Sequence, residues 1–230
     1  MGAVIGAALA AGSSGQRILD LALSLHKKDF VALDAWSLAK GVFAGNILKP
    51  EPLKRTIARL VPATRFADML IPFTVTTTDL DSGELVLFGA LGQDAPLIDA
   101  LYASCALPLY LPPGAIDGRR LGEGGLRAVV PIDVARRIPA DMVVAVDVGP
   151  GFDEPPATKQ AAIPPLVRAH GEAIRVMMAA QTERAIAAWP KDAPRLVVVR
   201  AVAEREATFA VDNAERYLEA GYRKTRAALA

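Results

Sequence analysis

The amino-acid sequence supports an α/β fold, a three-layer sandwich with a mostly parallel central sheet and helices on both faces. Two observations carry this reading. Strand-like and helix-like segments alternate along the chain, the pattern of parallel strands joined by crossover helices. Asp141 to Val148, D-M-V-V-A-V-D-V, is a nearly continuous apolar run where a half-exposed strand would alternate, as expected of a strand covered on both faces. The 230 residues are 52% hydrophobic and 22% charged, enough to bury a sizeable core in one domain. No internal repeat or linker divides the chain, so a single domain over residues 1–230 is expected.

The elements follow in order. Met1 to Gly12, M-G-A-V-I-G-A-A-L-A-A-G, reads as a buried helix stopped by the Gly12-Ser13-Ser14-Gly15 cluster. Gly2 and Gly6, four apart, leave one side of it smooth enough to press close to a sheet. Gln16 to Leu25 and Leu33 to Phe43 read as amphipathic helices. Leu53, Ile57, Leu60 and Val61 mark the buried face of a third. Ile71 to Thr78 has the β-branched density of a strand, Asp81-Ser82-Gly83 is a turn, and Glu84 to Phe88 alternates as the next strand. Asp94 is a candidate cap for a helix from Leu97 to Ser104, which Pro108 ends. Asp117-Gly118 is a turn signal between two short apolar runs, and Pro131 opens a helix with Ile132, Val134, Ala135 and Ile138 on its apolar face. After the Asp141 strand come a Pro-rich loop from Phe152 to Pro165 and the longest helix, Leu166 to Trp189. The Leu196 to Val199 strand and a closing helix from Ala214 to Leu229 complete the chain.

Composition excludes several classes. A net charge of +1 with the signs interspersed leaves no footprint for nucleic acid. Cys105 is the single cysteine, so there is no internal disulfide, and no Cys/His cluster has metal-ligand spacing. No metal and no cofactor are expected. The apolar start is too short to span a membrane and lacks the basic flank of a signal peptide, which makes a cytoplasmic location the expectation. Contact with a membrane surface at the protein's periphery is left open, as is the oligomeric state.

Chemistry concentrates in Gly122-Glu123-Gly124-Gly125, a stretch too rich in glycine for a helix or strand interior. An acidic side chain on such a turn, next to a buried strand, is where α/β proteins place functional groups. The alternative is a solvated turn carboxylate. His26 and His170 are far apart in sequence and have no acidic neighbour to orient them, which makes them poor candidates for a catalytic base.

Taken in order, these pieces resemble the patatin-like phospholipase family, particularly its bacterial members. T-T-T-D-L-D-S-G-E at 76–84 is similar to the family's strand and turn ending in Gly-Glu. A-S-C-A-L-P-L-Y-L-P-P at 103–113 is similar to its helix-to-loop segment. L-G-E-G-G-L at 121–126 with Val130-Pro131 stands where the family has Asp-Gly-Gly or Asp-Gly-Ala and a downstream Pro. The opening M-G-A-V-I-G-A-A-L-A-A-G is similar to the helix that follows the nucleophile. The resemblance implies a lipid acyl hydrolase, a phospholipase or esterase acting on carboxylic esters through a Ser-Asp dyad without histidine.

Two departures qualify it. Met1 and Gly2 align with the last two residues of the Gly-x-Ser-x-Gly elbow, so the Ser falls immediately before residue 1, together with its strand and the Gly-rich oxyanion loop. Glu123 stands at the family's Asp position, with Gly124 and Gly125 completing the acidic-loop motif. Its side chain is longer by about 1.5 Å, one carbon–carbon bond. A shift near 1 Å at a reacting group can cost roughly 100-fold in rate. The 230 residues are accordingly expected to be a patatin-like domain shortened at its N-terminus and inactive as they stand. Either Met1 is internal to a longer reading frame or the chain is a catalytically dead lipid- or partner-binding protein. Ser104 and Cys105 are expected to pack and cap, not to replace the missing nucleophile.

Overall fold

The computed structural model describes residues 1–40, 43–149, 165–200 and 214–230. They form two compact units, Met1–Arg127 and Ala128–Ala230.

The first unit opens with helix α1, Gly2–Ala10, whose Val4, Ala7, Ala8 and Ala10 are buried. It stops where Gly12 turns to a φ of 87°, a value glycine adopts without Cβ strain, and the Ser13 N–H folds back onto the Ala8 carbonyl. Ser14 then caps α2, Gly15–Ser24, by accepting the Arg17 N–H. The principal neighbours of α1 are helices: α2, α5 (Glu51–Leu60) and α6 (Leu97–Ser104). Its smooth side meets an aromatic ring, for a Cβ on Gly6 would stand 3.0 Å from Phe73 Cε2. Between α2 and α5 lie α3, Lys27–Phe30, and α4, Ala35–Ala39. The helix expected from Leu33 is shorter because residues 33 and 34 are taken by other bonds. Leu33 is bridged to Leu48, and Asp34 donates its N–H to the Ile47 carbonyl while its carboxylate caps α4. The amphipathic pattern of α5 is realised as read, with Leu53, Ile57, Leu60 and the following Val61 buried.

Strand β1 runs from Thr74 to Asp79, starting later than its apolar content suggests. The N–H groups of Leu70 and Ile71 both go to the Ala10 carbonyl, so this segment closes the end of α1 instead of joining the sheet. β2, Leu85–Gly89, follows the Asp81-Ser82-Gly83 turn and pairs with β1 antiparallel. Helix α6 has the expected bounds but begins at Pro96 without a side-chain cap, so Asp94 does not play that part. β3, Gly114–Ile116, and β4, Arg119–Glu123, form a hairpin around Asp117 and Gly118, whose φ angles of 50° and 76° suit a type I′ turn.

The sheet has the order β2-β1-β4-β3 and is antiparallel throughout, where a mostly parallel one was expected. Two of the three pairings, β1–β2 and β3–β4, follow from their short turns, because a short reversal between consecutive strands can only produce an antiparallel pair, whereas a parallel pair needs a long crossover. The α/β class stands, because α6 packs on this sheet. Gly114 permits the approach, since a Cβ there would lie 2.7 Å from Ala103 Cβ. The core between them includes Val75, Phe88, Leu97, Leu101 and Leu121.

In the second unit α7, Ile132–Ala135, starts after Pro131 and is only one turn long, with Ile138 exposed beyond it. β5, Met142–Asp147, pairs with β6, Arg195–Arg200, in parallel register, and α9, Ala214–Leu229, packs on β6. α8 spans Pro165–Ala187. β5 corrects the expectation of a strand buried on both faces. Val143 and Ala145 are buried while Met142, Val144 and Val146 are exposed. A continuous aliphatic run carries no period of its own, so it is compatible with one covered face as well as with two. The Pro-rich stretch at 152–164 lies outside the described residues. No helix among the described residues is long and apolar enough to cross a membrane.

Candidate active site

Glu123 is the last residue of β4, and its main chain is held from two sides. Its N–H donates to the Ala106 carbonyl at 3.0 Å, and its carbonyl accepts the Thr78 hydroxyl at 3.0 Å. The residue also sits opposite Thr77 in the β1–β4 register. The glycines around it are a demand of packing more than of turn formation. A Cβ on Gly122 would lie 2.9 Å from Leu80 Cδ2, and one on Gly124 would lie 2.4 Å from the Thr76 carbonyl oxygen. The stretch was read as unfit for a strand. Gly122 and Glu123 nevertheless lie within β4, and the turn is one 3₁₀ step over Gly124–Leu126.

The carboxylate of Glu123 accepts one main-chain bond, from the Gly125 N–H at 3.3 Å. Burial pushes its pKa above the ordinary carboxylate value, against the opposing pulls of the Met1 amino group and the Gly125 N–H. Met1 is therefore a neighbour. Its main-chain nitrogen lies within electrostatic reach of both Glu123 and the Cys105 thiol, and its Sδ is 4.0 Å from Cys105 Sγ. Gly2, the first residue of α1, has open space around the position its Cβ would take. The N-terminal end of α1, the Glu123 carboxylate and Cys105, at the C-cap of α6, thus lie within electrostatic reach of one another.

The remaining candidates fall elsewhere in role or place. Burial raises the Cys105 pKa, which keeps the sulfur in its unreactive thiol form. Ser104 is buried at the end of α6. His26 does have an acidic neighbour, Asp29 at 3.8 Å, but this is an exposed pair at the start of α3. His170 lies on α8 in the second unit. A concave site of about 450 Å3, lined by Phe66, Met69, Leu70, Pro72, Phe73 and Asp94 among others, adjoins the start of β1 and does not include Glu123.

Sequence reading missed the groups that position Glu123. Thr78, read as the end of its strand, lies within β1 and supplies the hydroxyl that holds the Glu123 carbonyl, a role not foreseen. The three consecutive threonines were the available signal, because one face of a paired strand must point its hydroxyls at something. Asp79 is likewise part of β1. Its carboxylate accepts the N–H groups of Asp81 and Ser82 at 2.9 and 3.1 Å, which hold its pKa below the usual range. Chemically, then, the site offers a buried carboxylate of raised proton affinity at the end of a strand whose main chain is held from two sides.

A family model described as patatin-like phospholipase matches residues 1–136. An uncharacterised NTE family protein of Mycobacterium tuberculosis (strain ATCC 25618 / H37Rv) is 32% identical over 161 residues, 68% of this chain and 42% of that protein. Patatin-like phospholipase domain-containing protein 6 of Homo sapiens is 30% identical over 155 residues, 65% of this chain and 11% of that protein. Patatin-like phospholipase domain-containing protein 7 of Rattus norvegicus is 31% identical over 96 residues, 41% of this chain and 7% of that protein. The chain spans less than half the length of each of these relatives.

Proposed function

This chain belongs to the patatin-like phospholipase family, and on that premise we propose that it carries the acid-loop half of a lipid acyl hydrolase site, with Glu123 as general base. The substrate class is a lipid or other carboxylic ester. In this reading the nucleophile is a serine immediately ahead of Met1, and Met1 and Gly2 complete its elbow. Glu123 accepts the proton of the serine hydroxyl as the oxygen attacks the ester carbonyl, and returns it to the departing alkoxide. The acyl group left on serine is then released by water, which Glu123 deprotonates in its turn. The whole chain is read as one patatin-like domain in a cytoplasmic protein.

The observation that supports this most directly is that the Glu123 carboxylate lies within electrostatic reach of Met1 at the head of α1. A base must reach the group it deprotonates, and the raised pKa brings the carboxyl nearer the working pH than an exposed glutamate would be. No Gly-x-Ser-x-Gly occurs within the 230 residues, so by themselves they are predicted not to turn over esters. The test compares p-nitrophenyl ester hydrolysis by the 230 residues with that by a form extended into the gene-encoded sequence ahead of Met1. Turnover by the extended form alone, lost on Glu123→Gln, is the expected result. Turnover by the 230 residues that survives combined replacement of Ser104 and Cys105 would remove the proposed nucleophile. An inert extended form would favour a catalytically dead binding protein, for which the Glu-for-Asp exchange is the motive.

A further inference from the structure

Part of the first unit carries apolar surface that its core does not use. Residues 32–34 and 47–49 run antiparallel, with the Asp34 N–H on the Ile47 carbonyl and the Lys49 N–H on the Ala32 carbonyl, each at 2.9 Å. This neck is pinned in turn, because the Ile47 and Leu48 N–H groups donate to the Leu109 and Tyr110 carbonyls at 2.9 and 2.8 Å. Among the described side chains of this neck and the loop it closes, Trp36 is 80% exposed, Phe43 88% and Leu33 60%. Single exposed leucines are ordinary, but a tryptophan and a phenylalanine displayed on one pinned loop are not.

The charges of the same loop point to what covers it. Its one acid, Asp34, is turned back into α4, where it accepts the Trp36 N–H at 3.1 Å and the Ser37 hydroxyl at 3.0 Å. Its two lysines, Lys40 and Lys49, are exposed. The Lys40 N–H bonds the Trp36 carbonyl at 3.2 Å, which places Lys40 one helical turn after Trp36 on the same face. We propose that this loop docks on a phospholipid bilayer containing anionic lipid. Trp36 and Phe43 enter the boundary between headgroups and acyl chains, and Lys40 and Lys49 face the lipid phosphates. Indole and phenyl rings favour that boundary, and basic side chains beside them add attraction to an anionic leaflet. The proposal rests on the acyl-hydrolase reading, since a lipid substrate is reached at such a surface.

The test reads binding alone and uses the two tryptophans of the chain. Trp189, whose indole N–H is held on the Pro194 carbonyl at 3.0 Å, is replaced in a Trp189→Phe variant so that Trp36 becomes the only indole. Its emission should shift to the blue with vesicles of phosphatidylcholine and phosphatidylglycerol, and far less with phosphatidylcholine alone, the shift fading as salt is raised. Sedimentation with the anionic vesicles should fall at least about tenfold for Trp36→Ala with Phe43→Ala, whose side chains are the membrane-entering area. It should fall roughly fivefold for each of Lys40→Gln and Lys49→Gln. The lysine variants keep the test informative if the aromatic pair perturbs folding. Equal, salt-independent binding to both vesicles, no binding to either, or a vesicle-free shift that grows with protein concentration would each overturn the proposal. Vesicle binding by an extended form inert toward esters would break the hydrolase reading alone. Turnover of soluble esters without vesicle binding would break the docking surface alone.

Discussion

Two carboxylates end neighbouring strands of one sheet and are held in opposite electrostatic settings. Asp79 closes β1 and accepts two main-chain N–H groups, those of Asp81 and Ser82, which stabilise its charge and lower its pKa. Glu123 closes β4, accepts one longer bond from Gly125, and has its pKa raised by burial. The first is a structural clip that holds the β1–β2 turn. The second keeps its charge only partly compensated, which raises its affinity for a proton. The two lie within one β-ladder, where Asp79 faces Leu121 and Thr77 faces Glu123. What separates them is local: the number of donors aimed at the charge and the medium around it.

The largest expected effect comes from breaking the mount of Glu123. In Gly124→Ala the new Cβ would collide with the main chain of Thr76, at 2.4 Å from its carbonyl oxygen, and main chain cannot swing aside. A loss of about 3 kcal/mol is predicted, read by urea denaturation. An unchanged midpoint would mean that the turn is looser than its contacts imply. Thr78→Val is milder. It removes the hydroxyl bond to the Glu123 carbonyl and should cost about 1 kcal/mol. In a form competent for ester hydrolysis it should lower kcat more than it changes KM, because it shifts the base and not the substrate contacts.

That contrast also marks how far the sequence could be read. The β3–β4 hairpin was legible because Asp117-Gly118 permits only a tight left-handed turn, and α6 was legible from its apolar period. The position of Glu123 near Met1 followed from the order of the family motifs. The antiparallel sense of the sheet was not drawn out, although the turns implied it for two of the three pairings, since alternation of strands and helices was given more weight than loop length. Half of the clamp on Glu123 was out of reach in the sequence, because the Ala106 carbonyl, 17 positions away (106 against 123), is main chain and leaves no trace in residue type. The other half, the Thr78 hydroxyl 45 positions away (78 against 123), left its trace in the run of threonines. The same holds for the open face of β5, where exposed Val144 and Val146 are chemically indistinguishable from buried ones.

The pH dependence of stability offers a smaller effect, with opposite signs for the two acids. Asp79 binds its proton more weakly when folded than when unfolded, so its stabilisation is present above the ordinary carboxyl pKa and is lost as pH falls through its lowered value. Glu123 binds its proton more strongly when folded, so stability falls as pH rises from the ordinary glutamate pKa through its raised one. Glu123→Gln should therefore raise Tm relative to the parent at pH 8 and leave it nearly unchanged at pH 4. Asp79→Asn should lower Tm at pH 8 and converge with the parent in acid. Parallel Tm profiles for the two variants would erase the distinction between clip and base.

The account turns on the proton affinity of Glu123, and a carboxyl carbon NMR titration of Glu123 and Asp79 in the same sample measures it most directly. The predicted result is a Glu123 midpoint above the ordinary glutamate value and an Asp79 midpoint below the ordinary aspartate value. Acetylating the Met1 amino group should move the Glu123 midpoint further up, since it removes a neighbouring positive charge. A Glu123 midpoint at or below the ordinary value, unmoved by acetylation, would contradict both the juxtaposition of Met1 with Glu123 and the role of base assigned to it.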